Sequence, residues 1–248
     1  MQKSATRPPS VRIAFRTFWR TLRHGYDNLG TLGISSIFWW LCAIPAAPFV
    51  YVAFDSTNIA SALVLFVVLL IVPLGPASAA LSRIVKPMTE ERASSFHPFW
   101  QYLRSDWRWS TELMWTLLLG LVLWEANRRF YAASTNGVIM LLSGFFLVVV
   151  LLWVGMMVFA MPMALRQTEQ RLRTTMRNVA VVVLANIPGV LVSLLLLFLS
   201  TLLLLFLPPL FLLIPGWIAL WAAENVRLLL VAAGHLEPDE IADRPRGK

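Results

Sequence analysis

Glu224 and Arg227, in the stretch AAENVRLLL, are the residues of this chain best spaced to do chemistry. Three positions apart, they share a helix face and can pair. An ionisable group in an apolar helix marks a functional site by default, because removing its charge from water is costly. Asn225 beside them adds an amide that can donate or accept. Asn186 places a second amide in a long apolar stretch. Glu125 and Arg129 are four positions apart, with Trp124 and Tyr131 nearby, and read as an end-of-helix pair at a membrane interface. Glu112, one turn from Arg108, is expected to be neutralised by it.

Enzyme signatures are missing. The chain contains no HExxH, no GxSxG and no phosphate-cradling glycine loop, so no spacing calls for a catalytic residue, a metal or a cofactor. His24, His97 and His235 stand far apart and read as interfacial or solvated. Cys42 is the single cysteine, which excludes an intramolecular disulfide and a zinc-finger type of site.

The elements that must position these residues follow from composition. Hydrophobic residues make up 58% of the chain and charged residues 14%, too few charges to cover a water-facing surface. The expected class is all-α, a polytopic membrane helical bundle, since a span needs roughly 20 apolar residues. Residues 29–54, 59–81, 111–131 and 137–165 supply four candidate spans. Residues 179–223 carry no charge, and as one helix they would be roughly 68 Å long, twice a bilayer. They must therefore fold back, and Pro208 and Pro209 mark the turn. Six transmembrane helices result. Ala60, Ser61 and Ala62 faintly resemble a signal-peptidase site, but the run before them is too long and starts too late, so an uncleaved span is expected.

Of the 21 basic residues, only Arg128 and Arg129 fall in segments that would face outward if the N-terminus is inside. That asymmetry predicts a bacterial cytoplasmic membrane protein with both termini cytoplasmic. The formal charge of +8 is then a topology signal and an attraction to anionic lipid, with no nucleic-acid partner expected. Residues 1–28 read as a cytoplasmic amphipathic segment, 29–233 as the six-helix domain with a cytoplasmic aromatic loop at 82–109, and 234–248 as a polar cytoplasmic tail. In the first segment Val11, Ala14, Phe15, Phe18, Trp19 and Leu22 keep helical spacing, while Arg12, Arg16, Arg20 and Arg23 form a separate stripe. That helix is predicted to lie in the membrane surface with its arginines on lipid headgroups. In the loop, Phe96, Phe99, Trp100, Leu103 and Trp107 repeat the pattern beside Arg104 and Arg108. A second interfacial helix is predicted there, with Trp100, Arg104 and Arg108 at the headgroups.

The stretch PLGPASAA, residues 73–80, sets two prolines and a glycine into the second span. Pro76 lacks a donor and is expected to kink or open that helix, so its backbone must be buried in protein or face water. Pro73, Gly75, Pro76 and Ser78 are therefore pocket candidates with Asn186, Glu224, Asn225 and Arg227. The small residues from Gly75 to Ala80 would also admit close helix packing. Similar interruptions occur as AIPAAP (residues 43–48), MPM (161–163), NIPG (186–189) and IPG (214–216). Broken helices can line a transport site.

The motifs TLGISSIFWWLCAIP, VPLGPASAALSRIVK, FHPFWQYLRSDWRWS and MPMALR together resemble the YesL-like family of bacterial membrane proteins, over roughly residues 15–230. The resemblance implies a helical membrane protein serving carbohydrate uptake, with a sugar transport complex as partner, and it carries over no catalytic residue. Three functions are compatible with these features. The first is a non-enzymatic accessory or scaffold protein. The second is a small-solute or ion transporter or channel built from proline-broken helices. The third is a membrane enzyme acting on lipid or lipid-linked sugar.

Overall fold

The computed structural model describes residues 10–46 and 73–236. Expectations for residues 1–9, 47–54, 59–72 and 237–248, Pro48 among them, lie outside the described residues. Every regular element among the described residues is helical. The helices are α1 (Ser10–Asp27), α2 (Leu29–Ala43, followed by a 3-10 turn Ile44–Ala46), α3 (Leu74–Thr89), α4 (Phe99–Ser105) and α5 (Trp107–Ala132). They continue with α6 (Gly137–Ala164), α7 (Leu172–Ala185), α8 (Ile187–Phe206), the short α9 (Pro208–Phe211) and α10 (Ile214–Ala232). By length and composition α6, α8 and α10 can each cross a membrane.

Helix α10 is the centre of the bundle. In its most apolar window 72% of residues are buried, against 0% for α6 and 22% for α8. Its small and apolar residues Leu220, Ala222, Ala223 and Val226 face neighbours on several sides, α3 and α6 among them. The outer faces of α6 and α8 leave large side chains such as Leu141, Phe145, Phe198 and Leu203 open. In lipid that exposure carries no penalty, because acyl chains are as apolar as leucine.

The turn marked by Pro208 and Pro209 is present: α8 ends at Phe206 and α10 returns from Ile214. Pro73 is the N-cap of α3 and Pro76 lies in its first turn, where the amides have no carbonyl within the helix to bond and a missing N–H costs little; the run before Pro73, which the expected break concerns, lies outside the described residues. Three other expectations are corrected. The IPG at 214–216 likewise starts α10, and the amide of Gly216 donates to Ser36 Oγ of α2 at 3.0 Å, which satisfies a donor left over at the helix start. NIPG does open α8, but Val179 and its neighbours belong to the separate α7, which ends at Ala185. The aromatic loop is shorter than 82–109, since α3 continues through Pro87 to Thr89 and α5 begins at Trp107.

The two amphipathic segments are also more deeply engaged than surface helices. In α1, Ile13, Ala14, Thr17, Thr21 and His24 are buried, and the helix packs on α8 and α10. Phe15 and Trp19 stay exposed. In α4, Phe99 and Leu103 are buried in the core formed by α2, α3 and α10, and Phe38 of α2 packs against Phe96, Phe99 and Trp100.

Candidate functional site

Two places combine burial with functional groups: a charged cluster on α10 and an apolar cavity beside it. Glu224 is wholly buried. Its carboxylate is paired with the guanidinium of Arg20 from α1, whose side chain is 17% exposed, and Arg227 Nη1 lies 3.7 Å from the same Oε1. The predicted pair on α10 is thus a triad, and Arg20 is its nearer cation. Arg20 therefore leaves the predicted headgroup stripe. Helical periodicity placed it with Arg12, Arg16 and Arg23, but the docking of α1 turns it inward. One residue on, Asn225 Nδ2 donates to Ser193 Oγ at 2.6 Å, and Trp221 Nε1 donates to the same hydroxyl at 3.0 Å. Trp217 Nε1 reaches Ser200 Oγ at 2.9 Å. Two serines of α8 thus fasten α10, the polar glue that membrane helices use where hydrophobic gain is absent.

Further charges gather where α3 and α6 end. Lys86 Nζ donates to the Leu165 carbonyl at 3.1 Å, capping the last turn of α6. Burial, reinforced by the charge of Arg166, holds the Lys86 ammonium below its ordinary value. Arg166 is 3.6 Å from Glu90 and its Nη2 is 3.4 Å from Thr89 Oγ1. Arg83 forks onto Asp106, with Nη2 to Oδ1 at 2.8 Å and Nε to Oδ2, and its guanidinium stands 5.5 Å from the ring centroid of Tyr102. Trp109 Nε1 donates to Asp106 Oδ1 at 3.1 Å. The hydrogen bonds that Arg83 donates to Asp106 hold its guanidinium above its ordinary value.

The cavity, about 190 Å³, is bordered by Trp39, Ser78, Met114, Met161, Pro162 and Pro215 among others. Its walls are almost entirely apolar, and the hydroxyl of Ser78 is engaged by Trp39 Nε1 at 3.0 Å. A pocket with such walls suits an apolar group. In the rest of PLGPASAA, Gly75, Pro76, Ala77, Ala79 and Ala80 are buried while Pro73 and Leu74 are half-buried, and a Cβ on Gly75 would stand 2.6 Å from the Ser110 carbonyl oxygen of α5.

The predicted site residues are thus divided among separate places. Glu224 and Arg227 meet in the charged cluster, Asn225 serves the α8 contact, and Ser78 borders the cavity. Pro73, Gly75 and Pro76 shape the α3 start. Asn186 sits at the α7–α8 corner, where its Nδ2 donates to the Val182 carbonyl at 2.9 Å. Of the predicted headgroup residues, Arg12, Arg16, Arg23, Trp100, Arg104 and Arg108 are exposed. Glu125 pairs with both Arg128 and Arg129, at 2.7 and 2.8 Å. Glu112 is exposed and forms no ion pair with Arg108 among the described residues, so that predicted neutralisation is corrected. Among the described residues no group of three or more His, Cys, Asp or Glu side chains could hold a metal ion.

Sequence reading placed Arg20 at the headgroups and missed Arg166, Asp106 and Ser193 as site residues. Ser193 alone carried a signal, being a small hydroxyl inside an apolar helix. The others are partnered across long stretches of chain, which no local period reveals. No curated protein and no solved structure matches the chain. Residues 36–128, which carry Ser78, Lys86 and the Arg83–Asp106 pair but neither Arg20 nor Glu224, are similar to a protein family described as a protein of unknown function, DUF624.

Proposed function

We propose that the protein is a six-span component of the bacterial cytoplasmic membrane with both termini in the cytoplasm, acting as a non-enzymatic accessory or scaffold protein for carbohydrate uptake. The DUF624 similarity supports the YesL-like resemblance, since YesL is a member of that family, and the link to carbohydrate uptake rests on the resemblance alone. The observation that carries the scaffold reading is how the buried polar groups are used. Glu224 faces two guanidiniums, and Asn225 and Trp221 share the Ser193 hydroxyl. The neighbouring cavity has almost entirely apolar walls. Polar groups paired between helices in this way hold a bundle together.

Topology is tested by single cysteines in a Cys42→Ala background. A cysteine at His97 is expected to react with an impermeant maleimide only in inverted vesicles, and one at Ser134 only in intact cells; the opposite pattern rejects the proposed orientation. The scaffold role predicts copurification with a sugar permease and no solute flux in proteoliposomes. One observation favours the transporter reading: Glu224 is an ionisable residue buried midway along a helix able to span a membrane. Sugar or ion flux abolished by Glu224→Gln would replace the scaffold with it.

A further inference from the structure

Helix α1 carries four arginines after Ser10, and the fold disposes of two of them. Arg20 is taken by Glu224. Arg23 shares a polar cleft with Asp27 and Glu91. Arg12 and Arg16 are exposed, one turn apart, and neither has an ion-pair or hydrogen-bond partner among the described residues. Both border a groove of about 610 Å³ between α1 and the last turns of α10, walled by Phe15, Trp19, Leu228 and Val231. Phe15 and Trp19 are 50% and 65% exposed, and no acidic residue is among the described residues lining the groove.

Two unneutralised guanidiniums beside an apolar trough match one kind of molecule, an amphiphile with an anionic head. Neighbouring guanidiniums can each fork onto phosphate oxygens, and the exposed rings of Phe15 and Trp19, with half-buried Val231, offer apolar surface to a chain attached to that phosphate. An acidic peptide would satisfy the arginines and leave the apolar walls unmatched. We infer that the groove between α1 and α10 binds one anionic phospholipid, its phosphate on Arg12 and Arg16 and an acyl chain along Phe15, Trp19 and Val231. The inference rests on the membrane reading proposed above. It adds a discrete, saturable site to a general attraction between basic segments and an anionic leaflet.

The test uses the full chain purified in mild detergent and offered phosphatidylglycerol or phosphatidylcholine with identical acyl chains, retained lipid being counted by native mass spectrometry. Each arginine near an anionic surface contributes about 1 kcal/mol, so one phosphatidylglycerol is expected to be retained with a preference of about thirtyfold. Arg12→Gln with Arg16→Gln should erase the preference, and either change alone should lower it about fivefold. Arg173→Gln with Arg177→Gln, an equal charge loss at exposed positions of α7, should leave it intact. Equal retention of the two lipids by the wild-type chain, or an unchanged preference in the Arg12/Arg16 variants, overturns the site. So does Arg12- and Arg16-dependent binding of a hexaglutamate peptide without lipid preference, which would assign the groove to a protein partner. Recovery of the chain in alkali-washed membranes reports the membrane reading separately: a chain that stays in the membrane and shows no preference refutes the lipid site alone.

Discussion

Replacing Glu224 by alanine is the sharpest perturbation of this fold. The carboxylate is wholly buried, Arg20 pairs with it from α1, and Arg227 Nη1 lies 3.7 Å away. Two unit charges near 4 Å interact by about 4 kcal/mol at an effective dielectric of 20. Part of that attraction offsets the desolvation of all three groups. The substitution removes the attraction and keeps the desolvation, leaving two guanidiniums to repel each other in a largely buried space. Breaking a buried pair from one side typically costs about 3–5 kcal/mol. Because Arg20 is the charged tie between α1 and α10, the damage should appear first as release of α1. The assay is limited trypsin digestion of the detergent-purified chain, followed at Arg12, Arg16, Arg20 and Arg23, beside its thermal melting curve. Glu224→Ala should lower the melting temperature and speed cleavage within α1 before other sites are cut. Arg20→Leu combined with Glu224→Leu should recover much of the loss, since replacing both ions with apolar groups is often near neutral. If Glu224→Ala melts and digests like the wild type, or if the double replacement costs the sum of the two singles, the triad does not hold α1 to the bundle.

Gly75→Ala should destabilise by about 1–3 kcal/mol, because its Cβ would meet the Ser110 carbonyl oxygen at 2.6 Å; Gly144→Ala, where the space is open, is the control in the same melting experiment. Asp106→Asn weakens the charged fork with Arg83, a side chain 34% exposed, and should cost about 2 kcal/mol by thermal or denaturant unfolding. Burial first, and the Arg20 charge second, hold the His24 imidazole below its ordinary 6.5, while Glu91 pulls upward and Arg23 and Arg227 pull downward. The unfolded chain therefore takes up a proton on His24 before the folded one does, so stability is full above pH 6.5 and falls as pH drops toward the lowered value. His24→Gln should flatten that part of the melting-temperature profile, and an unchanged slope would assign the acid sensitivity to other groups.

What the sequence by itself determined is what depends on composition and on neighbours along the chain. The shortage of charge excluded a soluble globule, and the uncharged run from Val179 to Ala223 had to fold back where Pro208 and Pro209 permit it. The 3.6-residue spacing of Val11 to Leu22 announced the helix now seen as α1. Glu224 and Arg227 were legible as partners because one turn of helix brings them together wherever that helix lies. Only the tertiary structure decided the rest. Pro76 could be read as a break as readily as a start, because the cost of a missing N–H depends on whether the same helix supplies a carbonyl one turn before it, and α3 begins only at Leu74, too late to supply one. Arg20 looked like its stripe-mates Arg12 and Arg16. It parted from them only when α1 packed across α10 and brought its guanidinium to Glu224, a carboxylate 204 positions away in the chain. Helical periodicity records which residues share a face. What that face meets is set by packing between segments far apart in sequence.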